Sequence, residues 1–174
     1  MNRKILLGVT GSIAAYKAVE LVRLFVKNGD SMQVVMTEAA TKFVTPLTFQ
    51  TLSRNPVFVD AFAPIAAWKP EHVSLAEAAD VALVAPATAN TLAKMRWGLA
   101  DNLLTETLLA TRAPVFVAPA MNTGMWEAAA TQENLAALKA RGVTVIEPGS
   151  GELACGVTGA GRMAEPEQIF KQVK

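Results

Sequence analysis

Lys4-Ile5-Leu6-Leu7-Gly8-Val9-Thr10-Gly11-Ser12-Ile13-Ala14-Ala15-Tyr16-Lys17 opens the chain and decides its fold. Lys4 to Val9 reads as an essentially apolar run, as expected of a strand buried on both faces of a sheet. Gly8, Gly11 and Ser12 form a small-residue turn, with Ser12 a natural N-cap for a helix from about Ile13 to Asn28. Ala15, Ala18, Val19, Val22 and Val26 recur at helical spacing, and Asn28-Gly29 supplies the stop. Strand, glycine turn and helix start together make an anion site, because the first N–H groups of a helix have no partner and lie at its positive end.

The same grammar repeats along the chain. Gln33 to Met36 reads as a second strand closing at Thr37-Glu38; Ala39 to Phe43 and Leu47 to Leu52 read as short helical pieces separated by Pro46, and Val57 to Ala61 as a small strand. Phe62 to Glu71 has few helix signals, and a loop of that length in a compact domain is usually functional. Ser74 and Glu77 are spaced as a capping box that would start a helix. Asp80 to Ala85 is a buried strand ending in Pro86-Ala87-Thr88-Ala89-Asn90-Thr91, with a helix to about Trp97 and another from Gly98–Leu104 to Ala110.

Ala113 to Val117 is the next strand, with Pro119 ending regular pairing for want of an N–H. Ala128 to Lys139 is a helix, Val143 to Ile146 the last clear strand, and Glu167 to Val173 a terminal helix. Between them, Pro148 to Gly151 reads as a hinge. Glycines 151, 156, 159 and 161 around Cys155 read as a movable flap that no core packing requires. The alternating order predicts an α/β fold: a single doubly wound, Rossmann-like domain over 1–174 with a mostly parallel sheet.

Composition narrows the function. With 174 residues, 52% of them hydrophobic, the chain can bury a sizeable core. A net charge of +1 with no basic block gives no reason to expect nucleic acid or an acidic membrane surface. One cysteine and one histidine, far apart, make a zinc site improbable, and the single thiol fits a reducing cytoplasm. Arg3, Lys4 and the apolar run to Ala15 mimic a signal peptide, but Thr10-Gly11-Ser12 interrupts it and a strand plus turn explains it better.

Candidate site residues collect at the strand ends, where open α/β sheets place ligands. Thr88, Asn90 and Thr91 offer hydroxyls, an amide and helix-start N–H groups suited to a ribityl chain, a phosphate or a flavin edge. Asn122 offers amide donors for a carboxylate, with Met121, Met125 and Trp126 as apolar walls; taken singly, each reads first as part of a strand-exit loop that plugs the core. Imidazole as a group changes charge near neutral pH, so His72 could accept a proton or hold a charged substrate, and Cys155 could be a small hydrophobe or the free thiol of a flap. The turn Gly8-x-x-Gly11 lacks the full glycine pattern of a dinucleotide site.

Five of these stretches carry a resemblance. Gly-Ser-Ile-Ala-Ala-Tyr-Lys (11–17), Glu71-His72-Val73-Ser74-Leu75, Pro86 to Thr91, Pro119 to Trp126 and the Cys155 glycine cluster resemble, in order, the motifs of the homo-oligomeric flavin-containing cysteine decarboxylases. Within them the chain is most similar to the phosphopantothenoylcysteine decarboxylases of coenzyme A synthesis, through Pro-x-Met-Asn-x-x-Met-Trp. Thr88 replaces a serine and keeps its hydroxyl. Val157 stands where relatives often have aspartate.

The resemblance implies FMN held by Gly11, Ser12, Ile13, Thr37, Thr88, Ala89, Asn90, Thr91 and Ala120, and no metal. It implies decarboxylation of 4′-phosphopantothenoylcysteine to 4′-phosphopantetheine: thiol oxidation to a thioaldehyde, loss of carbon dioxide to an enethiol, then reduction. His72 would act as base or charge partner, and Asn122 would grip the substrate with Met125, Ala154 and Cys155 beside it. Cys155 would donate the last proton. Family members form trimers or dodecamers with flavin between subunits, and many are the front half of a bifunctional protein whose second half is phosphopantothenoylcysteine synthetase. Three rivals share the flavoprotein fold: the peptidyl-cysteine decarboxylases, which lack a flap cysteine; the flavin prenyltransferases, which lack the Asn122 signature; and a non-catalytic regulatory flavoprotein.

Overall fold

A computed structural model describes residues 2–62, 68–152, 156 and 158–174. Strand β1 (Lys4–Val9) lies at the centre of the main sheet, paired in parallel with β2 (Ser31–Met36) on one side and β4 (Val81–Ala87) on the other. With β3 (Val57–Phe58), β5 (Val115–Pro119) and β6 (Thr144–Val145) it forms a six-stranded sheet in the order β3-β2-β1-β4-β5-β6, every pairing parallel. This is the doubly wound fold expected from the alternation of strands and helices. Its direction of winding reverses between β1 and β4.

The pleat sends alternate residues to opposite faces. Ile5, Leu7 and Val9 join the buried face of helix α1 (Ala15–Lys27) and helix α8 (Pro166–Val173), where Phe25 meets Phe170 edge-on at 5.0 Å. Leu6 and Ala82 face Leu75 of α3 (Glu71–Ala78) and Leu103 and Leu104 of α5 (Leu103–Ala110). Val84 and Val117 continue that face against Leu92 of α4 (Ala89–Trp97) and Leu135 and Leu138 of α7 (Ala129–Ala140). Gly8 lets α5 approach the central strand: a Cβ there would come within 2.6 Å of Leu104 Cδ1.

Several element boundaries differ from the expected ones. Helix α1 begins at Ala15, and Ser12 Oγ accepts from the Ala14 N–H (3.2 Å) within the turn before it. Pro46 occupies the first turn of α2 (Pro46–Ser53), where its missing N–H costs nothing. Helix α3 starts at Glu71 behind Pro70, so the Ser74–Glu77 capping box does not form; the Ser74 hydroxyl donates to the Pro70 carbonyl instead. Both β4 and β5 extend through their prolines: Pro86 lies in β4 after a cis bond, and Ala87 pairs with Pro119 past a register shift.

The expected hinge and flap are partly a second sheet. Strands β7 (Gly149–Glu152) and β8 (Thr158–Arg162) form an antiparallel ribbon. Contrary to the expectation that no packing requires its glycines, β8 lies on the segment after β5. A Cβ on Gly159 would collide with the Thr123 side chain, and one on Gly161 with the Met121 carbonyl. Ala154, Cys155 and Val157 lie outside the described residues.

Candidate functional site

Four turns leave the carboxyl ends of β1, β2, β4 and β5 and surround a crevice of about 590 Å³. From the first two come Gly11, Ser12, Thr37, Glu38 and Ala39; from β4 and the start of α4 come Thr88, Ala89, Asn90 and Thr91. The turn after β5 adds Ala120, Met121 and Met125. The crevice thus opens where the sheet reverses its winding, the place such sheets offer a ligand.

The first turn is tight. The Ser12 N–H donates to the Thr10 carbonyl (2.8 Å) and the Ala15 N–H to the Ser12 carbonyl (2.9 Å). Gly11 passes so close to the turn after β2 that a Cβ would lie 2.5 Å from the Ala39 Cβ, so glycine is needed there for packing. At the β4 turn, Thr88 caps α4: its Oγ1 accepts from the Thr91 N–H (3.3 Å) and lies 3.1 Å from Thr91 Oγ1. The buried Thr10 hydroxyl donates to the Pro86 carbonyl (2.7 Å) and accepts from the Thr88 N–H (3.1 Å).

These bonds leave specific donors for a ligand. The backbone N–H groups of Gly11, Ile13, Ala89 and Asn90 make no hydrogen bond to a described residue. Two helix starts therefore converge on one crevice, with the hydroxyls of Ser12, Thr37, Thr88 and Thr91 between them. That donor set fits a phosphorylated polyhydroxy chain. At the rim, Lys94 donates to both oxygens of Asp101 (2.8 and 2.7 Å), and this bond holds the Asp101 carboxyl below the usual carboxylate range. Asp101 also accepts from the Asn102 amide, and Asn102 caps α5 through a box with Thr105. Lys94, Asp101 and Asn102 were not anticipated as crevice residues, whereas the Thr37-Glu38 strand end lines it as expected. Lys94 follows Thr91 by one helical turn, a spacing that could have pointed to it.

Of the remaining expected residues, Ile13, Asn122 and His72 sit outside the crevice wall. Ile13 is 56% exposed beside it. Asn122 is exposed at the start of α6 (Thr123–Glu127), and its Oδ1 accepts from the Gly124 N–H (2.8 Å), which turns the amide nitrogen the other way. Met125 lines the crevice as expected, whereas Trp126 packs against the α4–α7 side of the core. The ribbon fixes this segment through a bond from the Met121 N–H to the Gly161 carbonyl (3.0 Å). His72 stands in the first turn of α3, its Nδ1 3.5 Å from Glu106 Oε2 on α5, and does not line the crevice of its own chain. Among the described residues no cluster of side chains could hold a metal, and no helix is long and apolar enough to cross a membrane.

Fold and crevice together define a doubly wound α/β protein with a polar ligand site at its topological switch point. Residues 1–174 match the family described as Flavoprotein, and the chain belongs to that family. It is 50% identical over 168 residues to the coenzyme A biosynthesis bifunctional protein CoaBC of Vibrio parahaemolyticus, covering 97% of this chain and 42% of that protein. The chain thus spans about two fifths of the length of that bifunctional relative. It is 46% identical over 176 residues to a protein of Streptococcus mutans named "probable phosphopantothenoylcysteine decarboxylase", covering 100% of this chain and 98% of that one.

Among solved structures, a mutant PPC decarboxylase complexed with pantothenoylaminoethenethiol superposes with a TM-score of 0.88 at 35% identity, covering 99% of this chain and 97% of that one. The FMN-binding protein AtHal3 does so with 0.86, also at 35% identity, covering 99% and 95%.

Proposed function

We propose that this chain is an FMN-dependent phosphopantothenoylcysteine decarboxylase, converting 4′-phosphopantothenoylcysteine to 4′-phosphopantetheine in the cytoplasm. The observation that carries this reading is the crevice itself. Gly11, Ala89 and Asn90, whose N–H groups have no bond to a described residue, line it together with the hydroxyl-bearing Ser12, Thr37, Thr88 and Thr91, and the segment carrying Met125 forms its next wall. The whole-chain similarity to a named decarboxylase and to an FMN-binding protein supports the choice of substrate and cofactor.

Gly11 and Ile13, with Ala89 and Asn90, would hold the FMN phosphate through backbone N–H groups, and Ser12 through its hydroxyl. Thr37, Thr88, Thr91 and Ala120 would meet the ribityl chain and ring. When bound, FMN would supply the electron acceptor that carbon dioxide loss from a cysteine end otherwise lacks, and would return those electrons at the end. Asn122, oriented by its cap bond to Gly124, would hold the substrate carboxylate and amide, with Met125 excluding water. His72 would accept the proton or stabilise the charge as the thiol is oxidised. Cys155 would give a proton to the enethiol carbon in the closing reduction, with Ala154 beside it.

His72 stands apart from the crevice of its own chain. This supports a site completed by a second subunit, and the resemblance to the trimeric cysteine decarboxylases makes a trimer or a multiple of trimers the assembly proposed. A fused or separate phosphopantothenoylcysteine synthetase would supply the substrate, as the bifunctional relative's name implies for that protein. Mass spectrometry of the product tests the whole reading. Loss of carbon dioxide with no net oxidation is expected. A product lacking two further hydrogens would place the chain with the peptidyl-cysteine type, and no turnover would leave a binding protein.

A further inference from the structure

The two anion-binding turns of the crevice are joined by a single side chain, Thr10. Its hydroxyl lies 2.7 Å from the Pro86 carbonyl and 3.1 Å from the Thr88 nitrogen. A carbonyl only accepts and a backbone N–H only donates, so the hydroxyl proton must point to Pro86 and a lone pair to Thr88. At 1% exposure there is no bulk water to replace either partner. The main-chain carbonyl of the same residue accepts from Ser12 in the first turn. No other hydrogen bond among the described residues links the Thr10–Ala14 turn to the Pro86–Thr91 turn.

We propose that Thr10 is a positioning residue for the phosphate and ribityl end of the flavin: it sets the spacing of the two helix starts and decides which N–H groups the ligand can use. The inference rests on the FMN reading above and deepens it. By occupying the Thr88 N–H, Thr10 removes that donor from the ligand and fixes Thr88, whose Oγ1 then caps Thr91. What remains at the start of α4 is the adjacent pair Ala89 and Asn90, opposite Gly11 and Ile13 on the other turn. A ligand that must touch both turns at once depends on their separation, and a hydroxyl bonded to both partners holds it without contacting the ligand.

Thr10→Val keeps the shape and removes both bonds, leaving the Pro86 carbonyl and the Thr88 N–H buried without a partner. Titration of flavin-free protein with FMN, followed by quenching of flavin fluorescence, should show Kd raised about tenfold or more in the folded variant. Thr10→Ser, which keeps the hydroxyl, should recover most of the loss. A Thr10→Val protein that is less stable yet binds FMN as the wild type does would overturn the proposal and leave Thr10 a purely structural residue.

If Thr10→Val does not fold, amide exchange of the wild-type, flavin-free protein decides. A Thr88 amide protected as slowly as that of Val84 supports the proposal, and exchange at loop rates overturns it. Wild-type protein that takes up no FMN would defeat the cofactor reading and the ligand role of Thr10 together. Thr88 protection in that same protein would show that the turns were nonetheless held as described.

Discussion

The Met121 N–H donates to the Gly161 carbonyl at 3.0 Å, and this bond seats the β7–β8 ribbon on the segment that carries Asn122. The contact is possible only because residue 161 has no side chain: a Cβ would collide with the Met121 carbonyl, and the backbone there has φ +122°. Gly159 stands in the same relation to Thr123. Gly159 and Gly161 therefore serve close approach.

Gly161→Ala should lift the ribbon from the Met121–Asn122 segment, at an overpacking cost of about 1–3 kcal/mol. Turnover of 4′-phosphopantothenoylcysteine should fall while FMN affinity stays near wild type, because the turns proposed to hold the phosphate, at Gly11 and Thr88–Asn90, lie elsewhere. Limited proteolysis should then cut first within 149–162. Wild-type turnover in Gly161→Ala would show that the seating of the ribbon is irrelevant to the reaction.

The flavin released on denaturation should be FMN. The donors that converge on the crevice suit one phosphate and a polyhydroxy chain, and the turn at Gly11 lacks the glycine pattern for a second nucleotide half. Chromatography of the released cofactor decides; stoichiometric FAD would refute the assignment.

Asp30 sets an acid limit on stability. Burial alone would raise its pKa, but hydrogen bonds from Arg3 and Asn28 and the Arg3 charge outweigh that, so its carboxyl titrates below the ordinary 3.8. A folded-state value below the unfolded one means that the unfolded chain binds more protons in this window. The contribution is complete above the unfolded value and is lost as pH falls through the folded one. Asp30→Asn should cost about 1–3 kcal/mol at pH 7. Urea melts at descending pH should show the gap between the two proteins closing only below about pH 3.8.

His72→Asn and Asn122→Asp should both bind FMN and lose substrate oxidation. Asn122→Asp would place a negative charge where the proposed role of Asn122 puts the substrate carboxylate, and like charges at contact distance repel. Rapid mixing with substrate under anaerobic conditions checks this through the flavin absorbance, which should not change. Wild-type rates in either variant would remove that residue from the reaction.

How much of this was legible in the sequence differs by element. The strand ends could be read because buried parallel strands are apolar runs and their exits are marked by Thr, Gly and Asn; Lys4–Val9 and Thr88–Thr91 are the clearest cases. Helix starts were misplaced where side chains found other partners, as Ser74 did with the Pro70 carbonyl. The ribbon was missed because glycine carries no strand signal, and its pairing is settled by contact with Met121 and Thr123 across a long sequence gap. Thr10 escaped notice since nothing in a strand-end threonine reveals that its hydroxyl reaches a carbonyl 76 residues away.

Cys155→Ser separates the two halves of the reaction. In the proposed reaction, oxidation of the thiol and loss of carbon dioxide would call on FMN, His72 and Asn122, and the Cys155 thiol would enter only at the closing reduction. The closing reduction of the proposed reaction would need a proton delivered to the enethiol carbon. A thiol with an ordinary pKa of about 8.5 can give one at neutral pH, while a serine hydroxyl is far too weak an acid. The variant should therefore release carbon dioxide in a single turnover and accumulate the enethiol, two hydrogens short of 4′-phosphopantetheine by mass. In air, slow reoxidation should let it go on producing enethiol. If Cys155→Ser instead makes 4′-phosphopantetheine at close to the wild-type rate, the proton comes from another group and the thiol has no part in the chemistry.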